Sequence, residues 1–162
     1  MKGHNGLDIS CNFREPVCSA HDGYVMNVSK DRGKGIGCYV RTLKEYDYKT
    51  GTSYFKTGYW HFDEVVVEDG DYVEVGQLLG YGDTTGYSTG SHLHLEMKAI
   101  YQENGVWLNR EDGNGYCGCT DPLPFITEID AQDRRKQLDS IAERLKMIAE
   151  KVKWLFEQIK SK

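Results

Sequence analysis

All 18 glycines of this 162-residue chain lie before residue 119, and the stretch from residue 127 to the end holds neither glycine nor proline. Glycine weakens helices and supplies the backbone conformations that turns need. The first 126 residues therefore read as something other than long helices, and the last 36 as one helix. Between the glycines, short apolar patches alternate with Asp and Asn. Strand-like runs fall at residues 23–28, 38–43, 54–62, 64–67, 72–75, 77–82 and 93–100, and Glu68-Asp69-Gly70-Asp71 marks a turn between two of them. The 11 tyrosines fit the same picture, because aromatic side chains favour strands. The expectation is a mainly β domain over residues 1–126, an antiparallel β-sandwich or barrel-sandwich. Residues 102–121, rich in Gly and Asn, are expected to form a loop with a small hairpin.

The tail follows another period. Leu138, Leu145, Val152 and Ile159 recur every seven residues, with Ile141, Ile148 and Leu155 interleaved. This is the a/d pattern of a coiled-coil-like amphipathic helix over residues 127–162. Thr127 with Asp130 three residues on approximates a capping box. Met147, Trp154 and Phe156 widen the apolar face, so three settings stay open: packing on the β body, pairing with copies of the chain or with a larger assembly, or lying on a membrane surface.

Charge removes several function classes. The net charge is −5, divided as −7 over residues 1–126 and +2 over the tail. An acidic body argues against binding a phosphate backbone, so no nucleic-acid partner is expected. No run approaches the roughly 20 apolar residues of a transmembrane helix. No basic start followed by an apolar stretch marks a signal peptide near Met1. The five cysteines (Cys11, Cys18, Cys38, Cys117 and Cys119) are odd in number and read as mostly reduced, with one or two disulfides as the alternative. Cys117 and Cys119 alone supply too few ligands for a structural zinc site, unless folding brings Cys11 or Cys18 to them.

The chemistry is carried by histidine. His4 and Asp8 form H-x-x-x-D, and His92 and His94 form H-x-H. On a strand, the two side chains of H-x-H point to one face, about 7 Å apart at Cα. Catalytic zinc takes three protein ligands from such donors and keeps a position open. Each motif alone is weak, and a solvated pair in a loop would explain His4 and Asp8 equally well.

The surrounding residues are more specific. Residues 82–96 read GDTTGYSTGSHLHLE, which resembles the signature G-x-T-G-x-S-T-G-P-H-L-H-F-E of the lysostaphin/LytM-type zinc metallopeptidases. Gly3-His4-Asn5-Gly6-Leu7-Asp8 resembles their G-x-H-x-G-x-D segment, and Tyr59-Trp60-His61-Phe62 their Y-x-H-L segment. Residues 73–80 and 121–126 fit the order of later blocks, so the resemblance spans about residues 3–126. It implies that His4, Asp8 and His94 bind Zn2+ and that His61 and His92 flank the activated water and the scissile carbonyl. Which of the two histidines is the general base stays open. The implied substrate is the peptide part of bacterial peptidoglycan, cut in stems, crosslinks or glycine bridges. Glu96, on the same strand face as His94, is a candidate hydrogen-bond partner for that imidazole. Tyr46, Tyr48, Tyr54, Tyr59, Trp60 and Tyr87 are candidates for the groove lining, and His21 has no assigned role. Ser91 stands where the family has Pro, Leu95 where Phe is common, and Phe62 where Leu is common. Three residues before His4 make a short lead-in, and a frayed terminus would weaken that ligand.

These features together imply a phage-encoded wall hydrolase, released by lysis or carried on a virion tail through residues 127–162, with a secreted enzyme whose leader was removed as the alternative. A second reading is a non-catalytic LytM-like module that binds the wall or activates other hydrolases, against which stand the five intact positions His4, Asp8, His61, His92 and His94. A third is a carrier domain, because residues 67–79 resemble part of a biotinyl or lipoyl domain. There the modified lysine comes before such a segment, whereas Lys98 comes after it.

Overall fold

The computed structural model describes residues 4–125, 139, 142–143, 145–151 and 153. Ten strands form one antiparallel sheet: β1 (Leu7–Ser10), β2 (Pro16–Cys18), β3 (Gly23–Ser29), β4 (Ile36–Thr42), β5 (Tyr46–Tyr48), β6 (Gly51–Val65), β7 (Tyr72–Val73), β8 (Leu78–Gly82), β9 (His92–Glu103) and β10 (Val106–Asn109). The main path runs β1-β9-β6-β4-β3-β7, with β10 on β9, β5 on β6, and the β2–β8 pair joined through β6. The expected sandwich is thus one continuous sheet whose halves share a core. Val17 of β2 and Leu79 of β8 pack in one cluster with Val25, Cys38, Val40, Tyr59, Phe62 and Leu95. A smaller core gathers Phe55, Met97 and Ala99 under Tyr46, Tyr48 and Phe125.

Strand β4 shows why the sequence folds this way. Cys38 and Val40 are fully buried while Tyr39 between them is only partly covered. Alternation sends every second side chain to the core and the others to the opposite face. The hairpin expected within residues 102–121 is β9–β10, closed by Asn104 and Gly105. Both have positive φ, 49° and 81°, as a two-residue type I′ turn requires.

The longest strand, β6, departs from alternation at one residue. Trp60 pairs with Gly37 and Phe62 with Ile36, so His61 is an extra residue bulged out of the ladder. Its φ is +71°, in the left-handed region that non-glycine residues avoid. The bulge resets the parity of the strand. Tyr59 and Phe62, an odd and an even position, both enter the same core, while Trp60 and His61 both reach the cleft on the other face.

In the tail, the described residues 145–151 are helical, and Leu145, Met147 and Ile148 are exposed. None of these three is packed on the β body. The heptad positions Leu138, Ile141, Val152, Leu155 and Ile159 lie outside the described residues, as do Trp154 and Phe156.

Candidate active site

Strand β9 carries His92 and His94, and its two neighbours complete the site. Across β1, Asp8 lies directly opposite His94 and Ser10 opposite His92. Across β6, Trp60 lies opposite His94. His4 comes up on the lead-in to β1. His94 Nδ1 lies 2.9 Å from Asp8 Oδ1, His4 Nε2 lies 3.1 Å from the same oxygen, and His92 Nε2 lies 3.6 Å from it. The rings of His61 and His92 are 4.6 Å apart. All five positions singled out in the sequence therefore meet on one face, at the floor of a cleft of about 540 Å³.

His4, Asp8 and His94 place one donor atom each within 4.8 Å of one another. Among the described residues, no other set of three metal-donor side chains converges in this way. The donors, two imidazoles and a carboxylate, suit zinc. A tetrahedral site with bonds of about 2.0 Å has edges of about 3.3 Å, within a few tenths of an ångström of the 2.9 and 3.1 Å separations found here. Burial pulls the Asp8 carboxyl upward, but the hydrogen bond with His94 and the charges of His4, His92 and His94 outweigh it and hold it below its ordinary value. The residues present fit a zinc ion.

His61 and His92 are each oriented from behind. His61 Nδ1 donates to the carbonyl of Thr85 at 2.7 Å. His92 Nδ1 donates to the carbonyl of Gly90 at 2.7 Å, with the Ser88 hydroxyl 3.3 Å away. Fixing Nδ1 as the donor leaves Nε2 of each neutral ring as the acceptor. Burial lowers the His61 pKa, and His92 and His94 add to this against the raising effects of the Thr85 carbonyl and Asp8.

Glu96 does not bond His94, contrary to the sequence expectation. It is buried and accepts from Tyr39 Oη, from Asn5 Nδ2 at 2.7 Å, from Cys119 Sγ at 3.1 Å and from Trp60 Nε1 at 3.3 Å. The side chain of Asn5 therefore ties the lead-in beside His4 to the middle of the sheet, which answers the concern over a frayed first ligand. Cys119 is part of this network and its backbone pairs antiparallel with that of Lys98, while Cys117 is exposed, and all five cysteines are free thiols. His21 is a satisfied core residue between Thr57 Oγ1 and the carbonyl of Asp22.

The groove expectation is partly corrected. Trp60 and Tyr87 line the cleft. Tyr59 is instead a core residue at 1% exposure, Tyr46 and Tyr48 cover the smaller core, and Tyr54 packs edge-on against Trp107. Tyr39, which sequence reading passed over, lines the cleft. Its signal was present in the alternation of β4 between two core residues.

Gly6 explains the glycine of the first motif. A Cβ there would stand 2.6 Å from the carbonyl oxygen of Leu95 and 2.8 Å from the His94 ring. Gly6→Ala is expected to push the His94 ring and weaken zinc affinity by about 10- to 100-fold, the size usual for disturbing groups that orient a metal ligand. Competition with a zinc chelator measures it, and unchanged affinity would show that the contact is slack.

Residues 2–110 match the model of peptidase family M23. The chain is 35% identical over 94 residues to peptidoglycan DD-endopeptidase ShyB of Vibrio cholerae, a match that covers 58% of this chain and 20% of ShyB. It is 29% identical over 126 residues to lysostaphin of Staphylococcus simulans, covering 76% of this chain and 21% of lysostaphin. The crystallised lysostaphin catalytic domain superposes with a TM-score of 0.55 at 26% identity, over 76% of this chain and 79% of that domain. The chain thus spans about a fifth of the length of these curated relatives. It belongs to peptidase family M23.

Proposed function

We propose that this chain is a zinc-dependent endopeptidase that hydrolyses peptide bonds of bacterial peptidoglycan, with His4, Asp8 and His94 as zinc ligands and His61 and His92 as the acid–base pair. The observation that carries the proposal is the convergence of three zinc donors with two further imidazoles, each oriented by a carbonyl, in one open cleft. Zinc bound there would supply Lewis acidity, bringing a water near neutral acidity and polarising the peptide carbonyl. The protein's part is positioning and proton transfer. With Nδ1 of each ring on a carbonyl, Nε2 of His61 or His92 accepts a proton from the attacking water. Once protonated, an imidazole of the pair donates to the developing oxyanion or the leaving amine. Asp8 holds His4 and His94 in one cluster, and Trp60 and Tyr87 offer apolar walls to an extended peptide.

The setting follows from the tail. Residues 1–126 act as the catalytic domain and residues 127–162 as an attachment helix, whose seven-residue apolar repeat favours an oligomeric assembly such as a phage virion tail. The exposure of Leu145 and Ile148 supports this over packing on the β body.

Mass spectrometry of purified peptidoglycan incubated with the protein tests the activity. New peptide ends that vanish on chelation and return with zinc are expected. Intact wall after treatment with folded, zinc-loaded protein would instead favour the non-catalytic wall-binding reading.

A further inference from the structure

The cleft face of the sheet is organised in rows across adjacent strands. One row is Asp8, His94 and Trp60, the next is Glu96, Gly58 and Tyr39, and the third is Lys98, Lys56 and Arg41. Lys98 lies directly opposite Lys56, and Lys56 directly opposite Arg41. Three cations in register across three strands repel one another and disfavour the fold.

Few anions offset them. Glu96 lies 3.6 Å from Lys98 Nζ, but its oxygens already accept from Tyr39, Asn5, Trp60 and Cys119. The charge of Glu96 and, after it, that of Asp112 also act on Lys56 and favour its cation, against burial and Lys98. Lys56 instead lies over the Tyr39 ring, 4.5 Å from its centre, and Arg41 lies 4.4 Å from the centre of the Trp107 ring. Burial and the charge of Lys98 lower the Lys56 pKa. The protein as a whole is acidic, so a basic row that starts at Lys98 in the lining of the cleft and continues across the sheet through Lys56 stands out.

We infer that this row, with Lys98 and Lys56 at its centre, binds a carboxylate of the substrate peptide, so that the preferred substrate is an acidic peptide stem rather than an oligoglycine bridge. The inference rests on the reading of the site as a peptidoglycan endopeptidase. Lys98 is four residues along β9 from His94, a rise of about 13 Å. Allowing for the reach of the lysine side chain, the carboxylate would sit roughly two to four residues from the scissile bond of an extended peptide. Stem peptides carry free carboxylates at such spacings and glycine bridges do not.

Calorimetry on the full chain, zinc-loaded, with three probes tests this: the stem peptide L-Ala-γ-D-Glu-L-Lys-D-Ala, the same peptide with its carboxyl groups amidated, and pentaglycine amide. The free acid is expected to bind about tenfold or more tightly than either neutral probe, as a charge-assisted contact implies. In the Lys56→Met/Lys98→Met variant that ratio should fall to near one, and Lys98→Arg should keep it. Melting curves establish that each variant is folded. Equal binding of acid and amide by the native protein, or a ratio unmoved in the double variant, would overturn the inference. Retained discrimination without cleavage of any wall would overturn only the proposed activity.

Discussion

Replacing His94 with alanine is expected to abolish stoichiometric zinc binding and to lower peptidoglycan cleavage by on the order of 10⁴-fold or more, since the Lewis acid is the main source of rate in such a site. His94 is central because it meets Asp8, His4 and His61. Its Nδ1 meets Asp8, its ring packs edge-on against His4 with centres 4.9 Å apart, and its ring centre lies 5.9 Å from that of His61. Zinc content of dialysed protein and product release from purified wall read the two losses separately. A His94→Ala protein that still held one zinc per chain would place the metal elsewhere.

The second large effect combines activity with stability at His61. His61→Ala and His61→Gly should both lose about 10²- to 10⁴-fold in turnover while keeping zinc, because a proton-transfer group is removed and the ligands are not. Their stabilities should differ in an unusual order. Within a regular strand, glycine is less stable than alanine by roughly 0.5–1 kcal/mol. At φ +71° the left-handed conformation penalises any Cβ by roughly 1–2 kcal/mol. His61→Gly is therefore expected to be the more stable variant by about 1 kcal/mol, measured by chemical denaturation. Alanine proving more stable than glycine would mean that the bulge relaxes when the imidazole is lost. The strain at this residue fits the general placing of unfavourable backbone at functional positions: a regular strand would send His61 to the same face as Tyr59 and into the core.

That bulge also marks the limit of what could be read from residues alone. Alternation located β3, β4 and β8 within a residue or two and β9 to within three, and the split into a glycine-punctuated β body and a glycine-free tail came from composition. Residues 54–62 and the start of 64–67 read as two strands but belong to one, β6, which ends at Val65, because the irregularity between them is a bulge and not a turn. The short strands β1, β2 and β5 lack an apolar run of their own, since each gains its identity from the neighbour it pairs with. The five histidine and aspartate positions were singled out by the resemblance of their segments to the lysostaphin/LytM-type family, each spacing being weak alone, and the fold brings them to one cleft. H-x-H shares a face of β9, and H-x-x-x-D brings His4 within reach of Asp8 on the adjoining strand. The network around Glu96 was not legible, since Asn5, Tyr39, Trp60 and Cys119 come from four separate segments that only the fold assembles. The aromatic groove was over-read for a similar reason. Tyrosine serves core, sheet face and cleft alike, and only pairing register separates them.

The metal centre is the claim on which the rest depends, and anomalous diffraction at the zinc edge from crystals of zinc-loaded protein tests it most directly. The expected result is a peak about 2.0–2.2 Å from a donor atom of each of His4, Asp8 and His94, with the His61 and His92 rings facing it from across the cleft. A zinc peak elsewhere, such as at Cys117 and Cys119, with none between His4, Asp8 and His94, would contradict the account.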